Sequence, residues 1–525
     1  MFWADRIADE IKRTVIPRAG AGKPLLIRDE KTASGKVHVG SMRGVAIHGA
    51  ISKVLKDKGV ENEFKYEIND FDPFDGLPNY LPPDQYKPLL GAQLLDVRSP
   101  DPSVVNYAQY YGGEFIKVIT DTGYTPTFYR SSELYLSGRM DEAIRLVLTH
   151  AKRIGEIYHE VSGSKSVSER LPLSVRCENC NKISMTKATD FDGETVAYTC
   201  VPHELDWGGK GCGHEGRVSP FGGKSKLPWK PEWAAKWFVL GVDVEGAGKD
   251  HSTKGGARDV ANHIARDVFN TIPPYDVPYE FFLVGGQKMS SSKGKGSSAR
   301  DIADLIPPKI FRLALLGKEI NQAFNFDPEG DTIPTLYDQY DKMALQFETI
   351  KDDDYARLFE LIHKDGIVPV AGFRMRFSQV AFMVQMPHLK LEEEALALKG
   401  SELTESENSE LLERAKYAKH WLTTYAPEKY RFALQDALPK VAASLSVAQK
   451  EALSRIRALV EKELSPEELH TSIHALKEDL GLSAKELFSA VYLSFLGKEE
   501  GPKVGWFLST MDRQFVLGRL QEASV

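Results

Sequence analysis

The sequence predicts a doubly wound parallel α/β sheet that carries a cysteine-bearing insertion and is followed by an all-α C-terminal domain. Three observations lead there. The chain opens in β-loop-α-β order, its four cysteines fall within one turn-rich stretch, and beyond about residue 300 strand signals give way to helical periodicity.

Taken in order, Trp3, Ile7 and Ile11 stand at helical spacing among charged residues, which makes an opening helix and excludes the continuous apolar core of a signal peptide. Pro24–Ile27 is an apolar run of strand length. A helix is expected from about His38 to Lys58, with Val39, Met42, Val45, Ala46, Ile51 and Leu55 on related faces, and residues 63–68 alternate as a second strand. Ligands of such sheets sit at the carboxyl ends of the strands. Residues 71–103 are rich in Pro, Asp and Gly and read as irregular, ahead of a periodic helix at roughly 137–162. Residues 173–218 hold Cys, Gly and turn residues, and helix–strand alternation resumes at about 231–290. The segments 338–362, 374–398, 408–424, 446–462 and 466–497 suit amphipathic helices, with Glu392 to Glu410 a solvated helix end or loop. The expected division is 1–100 for the first half of the sheet domain, 101–225 for the insertion, 226–305 for the second half, 306–345 for a connection and 346–525 for the helical domain.

Composition narrows the function classes. Of 525 residues 42% are hydrophobic and 27% charged, which supports packed cores and excludes collagen, a coiled-coil rod and wholesale disorder. Lys plus Arg number 67 against 74 Asp plus Glu, a net charge of −7, so the chain is no basic nucleic-acid coat, although a local basic surface is compatible with that balance. No stretch approaches the ~20 apolar residues of a bilayer span, and a cytoplasmic protein without membrane contact is expected.

Two loops carry chemistry. Thr32-Ala-Ser-Gly-Lys-Val-His-Val-Gly-Ser-Met-Arg43 joins the first strand to the first long helix. Gly35 supplies the turn, while His38, Gly40 and Ser41 fall at the helix start, where free N–H groups attract phosphate. Lys288-Met-Ser-Ser-Ser-Lys-Gly294 follows the strand-like run Phe281–Val284 and a Gly-Gly turn, and its lysines and hydroxyls suit a polyphosphate. Each alone also fits a plain helix start and a flexible linker.

The cysteines form a third signal. Cys177-Glu-Asn-Cys180 is a knuckle, followed by Cys200 and Cys212, and four thiolates so placed can close one tetrahedral zinc site. Eleven residues separate Cys200 from Cys212, and His203 or His214 can replace a sulfur. A disulfide pair conflicts with a cytoplasmic setting, and a redox knuckle lacks the expected context.

His38-Val-Gly40-Ser41 and Lys288-Met-Ser-Ser-Ser292 together resemble the H-I-G-H and K-M-S-K-S signatures of class I aminoacyl-tRNA synthetases, with Ser291 in place of the second Lys and Lys293 one step beyond. Between and after them, Trp233-Ala-Ala-Lys-Trp237, Gly246-Ala-Gly-Lys-Asp-His251, Gly255-Gly-Ala-Arg258, Val277-Pro-Tyr-Glu280, Phe326–Pro334, Leu336–Asp341 and the tail Gly501–Leu508 resemble the class I lysyl-tRNA synthetases over nearly the whole chain. The resemblance implies a Rossmann-type sheet, an insertion guiding the acceptor end of tRNA, a stem-contact region and a helical anticodon-binding domain. It implies ATP-dependent formation of lysyl-adenylate and transfer of L-lysine to the 2′-hydroxyl at the end of tRNA-Lys, with Mg2+ accompanying ATP, one structural Zn2+ and a monomeric enzyme.

Carried over by position, His38, Gly40, Lys288, Ser290 and Lys293 would act on ATP, and Thr32, Trp233, Asp250, His251 and Tyr279 would face the amino acid or adenylate. Trp233 suits the lysine stem as an apolar wall. The ammonium needs a carboxylate, for which Asp29, Glu30 and Asp70 all stand open. Relatives often read Thr-Pro-Ser-Gly where Thr32-Ala-Ser-Gly35 stands, and several carry an acid at the place of Gly44; here the acids precede the loop, in Arg28-Asp-Glu30. No histidine cluster near 95–110 offers a second zinc site. Arg130, Arg139, Arg145, Lys152 and Arg153 are candidate acceptor-arm contacts, and Arg374, Arg376, Lys416, Lys419, Trp421, Lys429, Tyr430 and Arg431 candidate anticodon contacts. The rival readings are a class I synthetase for glutamate, arginine or cysteine, a small-molecule nucleotidyltransferase, and a tRNA-binding paralogue without activation.

Overall fold

The computed structural model describes the chain except residues 21, 165–169, 287–296, 348–352, 365–371, 387–388 and 463. It divides into two compact units, Met1–Phe326 with Gln346–Val368, and Asp327–Leu345 with Pro369–Val525.

The first unit is built on β1 (Leu25–Thr32), β2 (Asn62–Asn69), β3 (Thr127–Arg130), β4 (Val244–Gly248) and β5 (Tyr275–Tyr279). They form one parallel sheet in the order β5-β4-β1-β2-β3. The chain winds outward from β1 to β3 on one side, then returns beside β1 with β4, so the strand order reverses between β1 and β4. That switch point opens a crevice at the carboxyl ends of both strands. Residues 127–130 thus extend the main sheet from within the segment read as insertion.

Charged residues occupy the centre of β1. Leu25, Leu26 and Ile27 are buried as an apolar strand start requires, and the strand continues through Arg-Asp-Glu-Lys to Thr32. Arg28 has no exposure because its guanidinium bonds Glu67 on β2 and Glu245 on β4, the neighbours on its two sides, at 2.6 Å each. Helix α1 (Trp3–Thr14) buries Trp3, Ala4, Ala8 and Ile11, and the Trp3 indole donates to the Leu316 carbonyl at 3.1 Å. Helix α2 (Ser41–Asp57) crosses from β1 to β2 with most of its residues buried, Arg43 and His48 among them. The periodic stretch 137–162 breaks into two helices, Asp141–Thr149 and Ala151–Ser162, where His150 leaves helical geometry and its ring bonds the Leu146 carbonyl. Phe282–Val284 is a strand, but it pairs with Phe324–Phe326 and not with the main sheet.

The cysteine segment is a small antiparallel sheet of Thr186–Phe191, Val196–Cys200 and Glu215–Val218. In the second unit every named element is helical from Thr332 on. Capping boxes start the helices Glu405–Thr424, Val447–Val460, Pro466–Leu480 and Ala484–Phe495. The stretch 466–497 is two helices because Gly481 takes a left-handed φ of 62° and Ser483 caps the next. Its core includes Arg414, buried under the Tyr337 ring and bonded to Asp341, Glu410 and the Met375 carbonyl.

Candidate active site

The crevice at the switch point is a cavity of about 480 Å³. Thr32 at the end of β1, His38, Gly40 and Ser41 at the start of α2, Trp233, Asp250 and His251 after it in the chain, and Tyr279 at the end of β5 all line it. Asp29 and Glu30 line it too, whereas Gly35 forms a turn outside and Asp70 is tied to the Ser132 backbone and hydroxyl at 2.8 and 2.7 Å. Lys288, Ser290 and Lys293 lie outside the described residues. The residues that follow their loop are fixed, since Ser298 bridges His38 and the Ser297 carbonyl accepts the Val39 N–H at 3.2 Å. The backbones flanking the two signatures therefore meet.

Gly40 allows a close approach: a Cβ there would stand 3.0 Å from His38 Nδ1 and 3.3 Å from the Phe282 carbonyl oxygen, both tighter than ordinary contact. The first N–H groups of α2 open here without a side-chain cap, the arrangement that receives phosphate oxygens.

Aromatic rings make one wall. Trp229 and Trp233 stack at 5.7 Å, and the His251 ring stands edge-on to Trp229 at 5.0 Å. Trp233 is held by its indole N–H, which donates to Glu245 at 2.9 Å, and Trp237 donates to the other oxygen of the same carboxylate at 2.7 Å. Helix α3 (Trp229–Leu240) presents these rings at i, i+4 and i+8, along with Glu232 and Lys236.

Under the wall lies a buried ionic network that the sequence reading did not anticipate. Arg28 pairs with Glu30, Glu67 and Glu245; Lys236 with Glu30, Glu67 and Glu232; Lys226 with Glu232 and Asp72. Asp72 in turn accepts from the Thr32 hydroxyl at 2.6 Å. Five carboxylates share three cations. Burial alone would push Glu67 up, but Lys236 and Arg28 overcome it and hold the carboxyl well below the usual range. Glu245 goes the other way: burial raises it, and Arg28 offsets only part. Lys31 also faces the cavity, and burial lowers its ammonium pKa against the pull of Asp29, Glu30 and Asp72. Glu245 and Lys31 carried no motif; the rule that ligands sit at strand carboxyl ends is the signal that reaches them.

The four cysteines come together as read. Their sulfurs lie within 4.8 Å of one another, with Cys177 and Cys212 at 3.6 Å and Cys180 and Cys200 at 3.7 Å, so the set can hold a tetrahedral metal ion without His203 or His214. Gly211 allows it, because a Cβ there would stand 2.5 Å from Cys200 Sγ and 2.4 Å from the Val201 carbonyl oxygen.

The candidate RNA contacts fare unevenly. Trp421 is fully buried, donates to the Pro328 carbonyl at 2.7 Å and packs on Phe377 and Tyr430, so it belongs to the core and cannot stack on a base. Arg376 pairs with Asp338, Lys429 and Tyr430 with Asp331, and Arg153 with Glu156, Glu160 and Asp267. No helix of the described residues is long and apolar enough to cross a membrane.

Residues 1–365 match the family model for class I tRNA synthetases (K). The chain is 33% identical over its full length to the lysine–tRNA ligase of Methanosarcina barkeri strain Fusaro, covering 98% of that protein. It is 32% identical to lysine–tRNA ligase 1 of Methanosarcina acetivorans over 100% of this chain and 98% of the relative, and 30% identical to the lysine–tRNA ligase of Archaeoglobus fulgidus over 100% of both. With its switch-point cavity, its four-sulfur cluster and these matches, the chain belongs to the class I lysyl-tRNA synthetase family.

Proposed function

We propose that this chain is an ATP-dependent lysine–tRNA ligase whose two reactions share the switch-point cavity. In the first, a carboxylate oxygen of L-lysine attacks the α-phosphorus of ATP, the bond to the bridging oxygen breaks and pyrophosphate leaves. In the second, a hydroxyl of the 3′-terminal adenosine of tRNA-Lys attacks the lysyl carbonyl carbon and AMP leaves.

The observation that carries the reading is the acid-rich lining of the cavity, where Asp29, Glu30, Glu245, Asp250 and Glu280 stand with Lys31 and Arg43 beside the tryptophan wall. A cationic side chain whose methylenes lie on Trp233 suits that surplus of carboxylates. The same surplus repels an acidic amino acid, which separates this reading from a glutamate enzyme.

His38, Gly40 and the first turn of α2 receive ATP, with Thr32 and Ser41 beside them. Lys288, Ser290 and Lys293 act on the phosphates as charge moves onto departing pyrophosphate, where the Mg2+ that accompanies ATP would supply further positive charge. Asp250 and His251 face the adenylate. The cysteine set suits zinc: thiolates ~2.3 Å from a tetrahedral zinc ion stand about 3.8 Å apart, close to the two shorter sulfur distances. The helical unit reads tRNA, and the enzyme works as a cytoplasmic monomer.

The test is pyrophosphate–ATP exchange with each of the twenty amino acids, with and without tRNA. Exchange dependent on lysine alone is expected. Exchange with arginine, glutamate or cysteine instead contradicts the reading, and none even with tRNA present leaves a paralogue without activation.

A further inference from the structure

Six arginines are buried among the described residues, and four of them meet carboxylates. Arg28 has its three glutamates, Arg258 pairs with Asp276, Arg414 with Asp341 and Glu410, and Arg519 with Glu522. Arg43 instead donates to the carbonyls of Leu315 and Glu319. Arg312, on the helix Pro308–Leu316, differs from all five. It is 9% exposed and meets no carboxylate among the described residues. What it touches is neutral: the Tyr124 ring, 4.3 Å beneath its guanidinium, and the Gly123 carbonyl at 3.5 Å. Its buried Nε has no partner. Burial raises the Tyr124 phenol against the pull of Arg312, so that hydroxyl supplies no negative charge.

Arg312 lines a cavity of about 470 Å³ at the amino ends of β2 and β3, the opposite end of the sheet from the catalytic crevice. Its other walls are α2 from Gly49 to Lys56 and the end of the helix Asp354–Ile362. All of them belong to one compact unit. The volume is that of a small-ligand pocket and exceeds what a lone inorganic ion fills.

The charges around this cavity leave it positive. Two acids line it, Glu63 and Glu360, and each is answered from outside, by Lys65 at 3.2 Å and Arg357 at 3.0 Å. Lys53 is likewise answered by Asp57 at 2.5 Å. Lys56 is exposed at the rim and makes no ion pair among the described residues. The exposed Lys364 runs beside the guanidinium: a Cβ on Gly123 would lie 3.5 Å from Arg312 Nη1 and 3.6 Å from Lys364 Cγ. A buried guanidinium without a counter-charge is costly, and Arg312, Lys56 and Lys364 together call for more than one negative charge. A phosphate monoester carries nearly two at neutral pH and matches the planar guanidinium fork.

We propose that this cavity is a second ligand site, for a small organic phosphate, in which Arg312 takes the phosphate group and Lys56 and Lys364 complete the charge. The site is separate from the ATP-binding loop, although α2 lines both cavities, with Ser41 and Arg43 in one and Gly49 to Lys56 in the other.

The test titrates phenyl phosphate calorimetrically into the full-length protein, with the catalytic cavity filled by the sulfamoyl analogue of lysyl-adenylate. One site per chain is expected, and benzoate, with the same ring and a single charge, should bind at least about tenfold more weakly. Arg312→Met, which keeps the length of the stem and removes the charge, should weaken phenyl phosphate about a hundredfold. Lys56→Met should weaken it about fivefold, and, being an exposed change, carries the test if Arg312→Met does not fold. A wild type that binds no phenyl phosphate would overturn the site, as would binding unchanged in both variants. If both variants lose affinity for tRNA while phenyl phosphate still binds, the cations serve RNA and the proposal fails. Benzoate bound as tightly as phenyl phosphate would overturn the assignment to a phosphate.

Discussion

The floor of the cavity and the cysteine segment both crowd like groups, carboxylates in one and sulfurs in the other, into a small space, and they are arranged for it differently. Under Trp233 the chain supplies its own counterions, Arg28, Lys226 and Lys236, each reaching more than one carboxylate. Around Cys177, Cys180, Cys200 and Cys212 the described residues offer four sulfurs and a small three-stranded sheet. The first arrangement is held by the protein's own charges, and the cavity above it keeps more carboxylates than cations, which is what a cationic substrate can use. The second has the geometry to take an ion from outside.

The largest effect should therefore come from breaking the second region. Removing metal with a strong chelator, or Cys177→Ser, should release about one zinc ion per chain and unfold residues 174–218, since structural zinc contributes on the order of 10 kcal/mol to such segments. Metal analysis with hydrogen exchange of that segment reads it; unchanged protection without metal would mean the small sheet holds itself.

In the first region the matching change is Glu67→Gln. Glu67 accepts from Arg28, Lys236 and Tyr129 with no exposure, so the variant should lose about 3–5 kcal/mol in urea unfolding. A loss below about 1 kcal/mol would show that the network is not a stability device. Gly40→Ala touches the cavity without touching its charges. The clash with His38 and the Phe282 carbonyl should slow exchange about a hundredfold, roughly 2.7 kcal/mol, with little change in unfolding. Ser446→Ala, which removes the cap of Val447–Val460, is the smallest: about 1 kcal/mol of stability in the helical unit and no change in amino-acid preference.

The two regions also differ in how far the sequence discloses them. The cysteines announce themselves by type and spacing, and the long gap before Cys212 proved compatible with one site because Gly211 lets the chain return against Cys200. His38, Gly40, Trp233 and Tyr279 were reachable because they stand in recognisable local patterns. The network was not. Asp29 and Glu30 stood out only as candidate partners of an ammonium, and it takes the pairing of β1 with β2 and β4, and the packing of α3, to show that Arg28 and Glu30 meet Glu67, Glu245 and Lys236, far away in the chain. Helix interruptions at His150 were hidden for another reason: the apolar phase continues across the break, so periodicity alone runs the two helices together. Trp421 misled because charge beside an aromatic residue looks the same whether the ring faces RNA or the core.

The most direct test of the central claim is a crystal structure with the non-hydrolysable sulfamoyl analogue of lysyl-adenylate. The account predicts the lysyl stem along Trp233, its ammonium among the carboxylates that line the cavity, and the adenosine beside Gly40. A side chain pointing away from Trp233, with the ammonium in solvent, would contradict it.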